Sequence, residues 1–227
     1  SSKDPFALRR NAIGLLRTII ENKINIQIKD LINYSIVIYN EQNVKFSNSQ
    51  ITKDILFFLR ERFKNLLKEN NIRSDIIEAV DSSHVGNDFL MLYKKCLTMK
   101  KNISKDICKD IVGTYKRAAN ILDQELKNKT EDIQGQPESF LFKKDEEKHL
   151  YSKINDIRKY FSSTKKKESY EETLQILAGA KSTTDDFFNN VIVNDENLDI
   201  KKNRLELLKM FCITYNNFID FSKVEGV

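Results

Sequence analysis

Residues 104–126 read SKDICKDIVGTYKRAANILDQEL, and this stretch decides the fold class. Its apolar side chains recur every three or four positions, which is the spacing of one face of an α-helix. These residues are Ile107, Ile111, Tyr115, Ala118, Leu122 and Leu126. The stretch therefore predicts a long amphipathic helix whose apolar face packs against a core.

The same spacing recurs along the rest of the 227-residue chain, between short polar breaks. The predicted helices begin at Asp4-Pro5, Ile28, Ser49 or Thr52, Ser74, Gly86-Asn87, Ser104, Lys144, Tyr170, Thr183 and Asp199. The chain has only six Gly and two Pro, which is too few for the tight turns of a β-sandwich or barrel. The sequence therefore predicts an all-α fold, a bundle of nine or ten helices.

Several classes of function are disfavoured by the same composition. No pair of glycines has the spacing of a phosphate-binding loop, and apolar runs of about five residues are too short to cross a membrane. Cys96, Cys108 and Cys212 form no CxxC pair, and His84 and His149 lie far apart in the sequence. We expect buried thiols in a reducing cytoplasm, and neither a metal site nor a catalytic residue in this chain.

Basic residues point only weakly to a partner. The net charge of +5 permits a polyanionic partner without requiring one. Nine of the 38 basic residues are Arg, and the guanidinium group is a better planar ligand for phosphates and bases than the lysine ammonium. The arginine positions are therefore the more informative ones.

Four short runs, in this order along the chain, resemble the bacterial glycyl-tRNA synthetase β-subunit family. They are Ser2–Arg10 followed by Ala12, Gly14 and Arg17, then Lys116–Leu122, Asp185–Val193 and Asn203–Leu205. Asp220-Phe221-Ser222 lies where the family's chain ends. The resemblance covers nearly all 227 residues, and four ordered matches are more specific than any one of them.

This resemblance implies that the chain is the C-terminal part of a larger β subunit and folds as a DALR-type anticodon-binding domain. Residues 1–25 would form a helix that joins or packs on the preceding β-subunit domain, and residues 26–227 would form the anticodon-binding domain. The family's enzyme is an α2β2 glycine–tRNA ligase of the cytoplasm, whose α subunit activates glycine with ATP and Mg²⁺. The implied partners are tRNA(Gly) and the α subunit, with no cofactor in this fragment, no membrane and no DNA.

Lys116, Arg117 and Asn120 are the first predicted tRNA-binding residues. Lys116 and Asn120 are four residues apart and share one helix face, beside the apolar stripe. A cation in this position can neutralise a phosphate, and an amide can read the edge of an unpaired base. The alternative is an Arg117 salt bridge and a helix-interior Asn120, without RNA contact.

The other predicted tRNA-binding residues are Phe187, Phe188, Asn190 and Arg204. Because the phenylalanines are adjacent, we expect one in the core and the other free to stack on a base; alternatively, both lie in a bent core segment. Asn190 either hydrogen-bonds a base or ends its helix. Arg204 either contacts a phosphate or pairs with Glu196 or Glu206.

Arg9, Arg10 and Arg17 lie on the first predicted helix. They either bind carboxylates across a domain joint or contact the tRNA backbone. Arg9 and Arg10 point to different faces, because successive helical residues are about 100° apart.

The favoured hypothesis is a domain that binds the anticodon stem-loop of tRNA(Gly) and discriminates its bases, without chemistry of its own. The alternative is a helical module that joins subunits or domains, with no direct RNA contact. Salt distinguishes them, because RNA binding through phosphates weakens steeply as salt rises.

Overall fold

The structure is a computed structural model that describes residues 4, 6–44, 50–83, 88–128, 133, 135–163 and 170–226. These residues contain ten α-helices, two 3₁₀ turns and no strand. The helices are α1 (Leu8–Glu21), α2 (Ile28–Glu41), α3 (Ile51–Glu69), α4 (Ser74–Ser82), α5 (Phe89–Asn102), α6 (Asp106–Asn128), α7 (Asp145–Ser162), α8 (Glu171–Ala178), α9 (Lys181–Asn190) and α10 (Leu198–Asn216). The 3₁₀ turns are Ser139–Leu141 and Phe221–Lys223. The predicted all-α class is confirmed.

Two compact units divide the chain. The first consists of Ser1–Ile77 and Val85–Lys100, and the second of Glu78–His84 and Lys101–Val227. Helix α1 packs on α3 inside the first unit. The predicted boundary at residue 25 concerns a preceding domain and stays a prediction.

The first unit contains helices α1, α2 and α3, and α3 contacts both of the others. Leu16 from α1 and Ile28 from α2 are fully buried, and Phe63 from α3 is buried as well. The Phe63 ring packs on Phe89, with centroids 4.9 Å apart. This apolar core explains why α1 is strongly amphipathic in sequence.

The second unit is built around α6 and α10. Helix α6 contacts α8, α9, α10 and the turn at Phe221–Lys223, while α7 packs on α9 and α10. The rings of Tyr115, Tyr215 and Phe221 lie within 5.8–6.4 Å of one another, centroid to centroid. Of the predicted α6 stripe, Leu126 is the exception, since it is 56% exposed near the end of the helix.

The starts of α6 and α9 lie two residues from the predicted ones, and the first and last helix starts differ for reasons that the structure shows. Helix α1 begins at Leu8 rather than at Asp4-Pro5, because Ala7 has a left-handed backbone (φ 54°) that cannot continue a helix. Helix α10 is capped by Asn197, whose side-chain oxygen accepts hydrogen bonds from the N–H groups of Asp199 and Ile200, and not by Asp199. The predicted starts at Ser49 and Gly86-Asn87 lie outside the described residues.

Candidate functional site

The packing of α6 against α9 brings together two residues that are 71 positions apart in the sequence. The guanidinium of Arg117 lies over the Phe188 ring, 4.4 Å from its centroid. Arg117 is exposed and Phe188 is half-buried, so the cation and the ring are both presented to solvent. An attraction between a cation and an aromatic face fixes their orientation. The pair can receive a phosphate on the guanidinium and a base on either planar group.

Phe187 and Phe188 take the first of the two arrangements left open by the sequence. Phe187 is fully buried, and the Phe188 ring meets it edge-on, with centroids 5.5 Å apart and planes at 72°. The buried Phe187 ring therefore packs against the Phe188 ring and limits its movement. Phe188 keeps a defined position against α6 while part of its ring remains accessible.

The two polar residues predicted beside Arg117 behave differently from each other. The Lys116 side chain is half-buried, and its Nζ atom donates a hydrogen bond to the carbonyl of Val224 at 2.6 Å. The ammonium thus ties the end of the chain to α6 and does not extend freely into solvent. Asn120 is exposed on the same helix, three residues after Arg117, and its amide is available to a ligand.

Asn190 has the helix-ending role that was one of its two predicted roles. Its side-chain amide donates to the Asp186 carbonyl at 2.9 Å, within the last turn of α9. Its own carbonyl accepts a hydrogen bond from Lys144 Nζ. The side chain is exposed, but its amide nitrogen is already bonded to the backbone.

Arg204 is the residue for which the structure corrects the prediction. Its guanidinium is nearly inaccessible and donates from Nε to Glu147 Oε1 at 2.9 Å. The Nη1 group donates to the carbonyl of Ile192 at 2.8 Å and to Asp195 Oδ2 at 2.7 Å. A guanidinium enclosed in this way cannot meet a phosphate, and its partners are neither Glu196 nor Glu206.

This buried network also sets the ionisation of one carboxyl group. The backbone N–H of Asn197 and the Arg204 guanidinium hold the pKa of Asp195 below its ordinary value, against the opposing effect of desolvation. Asp195 is therefore ionised at neutral pH and remains so in mild acid. Through Arg204, the loop between α9 and α10 is bonded to α10 and linked to Glu147 of α7.

Arg9, Arg10 and Arg17 lie in the first unit, on α1, and all three are exposed. Arg10 Nε is 3.7 Å from Asp4 Oδ2, an exposed pair of small energetic value. Arg17 lines a cleft that also includes Glu21. Both proposed roles of these arginines, at a domain joint or on a tRNA backbone, stay predictions.

A further ion pair on the seam between α6 and α9 was missed from the sequence. Lys181 Nζ is 2.7 Å from Asp185 Oδ2 and 3.9 Å from Asp110 Oδ1. The hydrogen bond that Lys181 donates to the Asp185 carboxylate, followed by the charge of that carboxylate, raises the pKa of Lys181. The four-residue spacing of Lys181 and Asp185 could have predicted this pair from the sequence. The contact with Asp110 could not be predicted in this way, because it depends on the packing of α9 against α6.

Groups suited to covalent or acid–base chemistry are scarce in the described part of the chain. Burial raises the pKa of Cys108 to about 11 and that of Cys212 to about 12, so neither thiol is a nucleophile at neutral pH. No group of three or more His, Cys, Asp or Glu side chains is placed to hold a metal ion within the described ranges. Nor is any helix there long and apolar enough to cross a bilayer.

Two family models match separate parts of the chain. The model described as "Glycyl-tRNA synthetase beta subunit" matches residues 1–82, and the one described as "DALR anticodon binding domain" matches residues 111–225. The second match includes Arg117, Phe188 and the rest of the α6–α9 seam except Asp110. It begins one position after Asp110.

Curated relatives agree with these matches. The glycine–tRNA ligase β subunit of Rickettsia canadensis is 34% identical over 224 residues, which are 98% of this chain and 32% of the relative. That of Clostridioides difficile is 30% identical over 223 residues, and that of Rickettsia prowazekii 32% over 224, each with 98% of this chain and 31% of the relative covered. The chain therefore spans about a third of the length of these relatives.

Proposed function

The chain belongs to the DALR anticodon-binding domain family found in glycyl-tRNA synthetase β subunits, and we propose that its second compact unit binds the anticodon stem-loop of tRNA(Gly). The observation that carries this proposal is the pair formed by the exposed Arg117 and the half-buried Phe188, with Asn120 beside it. A cation, an aromatic ring and an amide are the three groups that proteins use on unpaired RNA bases and their phosphates.

Each of the three side chains has a distinct part in this proposal. Arg117 contacts a phosphate or stacks on a base, and Phe188 limits the guanidinium to one plane. Asn120 offers one donor and one acceptor to the Watson–Crick edge of a base. Lys116 contributes positive potential, because its Nζ atom is occupied by the Val224 carbonyl.

For the intact protein we propose the β-subunit role in an α2β2 glycine–tRNA ligase of the cytoplasm, with this part supplying tRNA recognition and no catalytic residue. Glycine activation with ATP and Mg²⁺ then belongs to the α subunit. Aminoacylation needs both glycine activation and tRNA recognition, since the amino acid must be activated before it is transferred to the tRNA.

A second candidate function is a helical module that joins domains or subunits, and one feature of the first unit favours it. An apolar groove of about 520 Å³ runs between α1, α2 and α3. Leu8, Leu15 and Tyr39 line it and are each more than a third exposed. Exposed apolar surfaces of this kind are typical of protein contacts, and such a contact would be insensitive to salt.

The proposed RNA contact is tested by the affinity of residues 1–227 for a fluorescent anticodon stem-loop of tRNA(Gly). We expect Arg117→Ala to weaken binding about tenfold or more and to reduce the salt dependence by about one phosphate contact. Arg117→Lys keeps the charge but loses the planar contact with Phe188, so we expect an intermediate affinity.

Arg158→Ala is the matched control, because Arg158 is an exposed arginine of the same unit, on α7. An equal loss of affinity in the Arg117 and Arg158 variants would mean that binding follows overall charge, and the assigned face would be abandoned. A stem-loop with altered anticodon bases should bind more weakly than the native one. Equal affinity for both loops would refute anticodon discrimination.

A further inference from the structure

The 3₁₀ turn at Ser139–Leu141 presents a phenylalanine to solvent. Phe140 is 75% exposed and is the one exposed aromatic side chain in the described residues of the second unit. Its neighbour Phe142 is buried and packs on Tyr151, with centroids 5.4 Å apart. The turn therefore places one ring inside and holds the other outside.

Helix α10 holds the start of this turn through two buried side chains. The Glu138 N–H donates to Asn203 Oδ1 at 2.6 Å, and Asn203 Nδ2 donates back to the Glu138 carbonyl at 3.2 Å. The Gly135 N–H donates to Glu206 Oε1 at 3.1 Å. A Cβ atom at Gly135 would lie only 2.2 Å from that side-chain oxygen, so any larger residue at this position would displace the Glu206 carboxylate.

Helix α7 holds the residues that follow this turn. The fully buried Glu147 accepts hydrogen bonds from the N–H groups of Lys143 and Lys144 on Oε2, each at 2.8 Å. Its second oxygen, Oε1, accepts from Arg204 Nε. The segment that carries Phe140 is thus fixed on both sides by buried polar groups.

Stability alone does not account for these buried polar and charged side chains, because well-packed apolar residues often stabilise a core as much as a buried ion pair does. Their distinct effect is to define a single backbone conformation for an exposed ring. Side chains that are positioned in this way by a second layer of bonds are a feature of binding sites.

We propose that Phe140 is a base-stacking residue, which takes the face of an unpaired RNA base when the second unit binds a stem-loop. The inference rests on the proposed function and adds to it a second RNA contact, besides the one at Arg117, Phe188 and Asn120. Lys144 Nζ bonds to the carbonyl of Asn190, so the braced segment is tied to the same α9 end that carries Phe188.

The charges beside Phe140 favour a base over a phosphate. Glu138 and Lys143 flank the turn in the sequence, and Asp199 and Lys202 line the cleft next to Leu141. All four side chains are exposed. Because these charges cancel, the surface has little attraction for the RNA backbone, whereas stacking on a base needs no net charge. A single ring on a three-residue turn is also small against the roughly 800 Å² that a stable protein interface buries on each partner.

The test compares Phe140→Ala, Phe140→Leu and Phe140→Trp in binding to the anticodon stem-loop. We expect Ala and Leu to weaken binding roughly tenfold, within the range measured for loss of one stacked base, and Trp to retain it. A 2-aminopurine in the loop should be quenched by the wild type and by Phe140→Trp, and less by the other two variants. Phe57→Ala removes a similarly exposed ring, 69% accessible, from the first unit and should leave affinity unchanged.

Wild-type affinity in Phe140→Ala would overturn the inference and leave the proposed function standing, provided that Arg117→Ala still weakens binding. Wild-type affinity in Phe140→Leu would mean that an apolar contact suffices and would overturn stacking. Failure of the unmodified chain to bind RNA in a salt-dependent manner would overturn the proposed function and this inference with it. Because Phe140 is exposed, we expect all three variants to keep the wild-type circular dichroism spectrum.

Discussion

Replacing Arg204 with Ala is expected to lower the free energy of unfolding of the second unit by about 3–5 kcal/mol. The change leaves the fully buried Glu147 without the cation that bonds its Oε1 atom at 2.9 Å. Asp195 contributes less to the loss, because its side chain is partly exposed and regains water. The bonds from the Lys143 and Lys144 N–H groups to Glu147 remain, so the carboxylate keeps part of its stabilisation.

Urea unfolding followed by circular dichroism measures this loss, and thermal unfolding gives a second reading. For a chain of this size each kcal/mol corresponds to about 2–4 °C in Tm, so a decrease of roughly 6–20 °C is expected. Arg158→Ala serves as the control, because the same change at an exposed site should cost less than about 0.5 kcal/mol. Adding Glu147→Gln to Arg204→Ala removes the unpaired charge and should restore part of the stability.

A loss below about 1 kcal/mol in Arg204→Ala would contradict the argument, because a buried carboxylate cannot lose its guanidinium partner so cheaply. An absence of recovery in the double variant would also contradict it. In that case the hydrogen-bond geometry around Glu147, and not its charge, would be what Arg204 stabilises.

Two further predictions concern other buried groups. Because the folded-state pKa of Asp195 lies below its ordinary value, its stabilising contribution is complete above that ordinary value and is lost as the pH falls through and below about 4. Urea titrations between pH 3 and 6 should therefore show a flatter acid limb in Asp195→Asn; an unchanged slope would contradict the assignment. Tyr215→Phe removes the hydroxyl that donates to the Leu177 carbonyl at 2.7 Å and should lower the free energy of unfolding in urea by about 1 kcal/mol, since the carbonyl keeps its hydrogen bond from the Ala180 N–H at 3.2 Å; an unchanged free energy of unfolding would contradict the prediction.

Most helices of this chain could be predicted because the signal is local. Apolar spacing in α6 identified Ile111, Tyr115, Ala118 and Leu122 as buried, and they are. Leu126, near the end of α6, is the exception and is 56% exposed. The predicted start of α1 is wrong because Ala7 has a left-handed backbone, which hydrophobic periodicity does not report.

The candidate site was predictable in its residue types but not in their partners. Two arrangements of Phe187 and Phe188 were open from the sequence, one ring in the core with the other accessible, or both in a bent core segment, because neighbours on a regular helix point about 100° apart. That Phe188 would carry Arg117 depends on α9 packing against α6. Phe140 received no sequence signal, because its exposure results from three anchors on α7 and α10.

The sequence by itself determined the helical class and the surface charge of this protein, because helical periodicity and residue type are properties of short stretches of chain. Only the tertiary structure decided what each cation meets. Arg117 remains in solvent on an aromatic ring, whereas Arg204 lies between two carboxylates. Both are arginines on helices, and they differ because desolvation requires a buried guanidinium to have anionic partners, while an exposed one is free to bind a ligand.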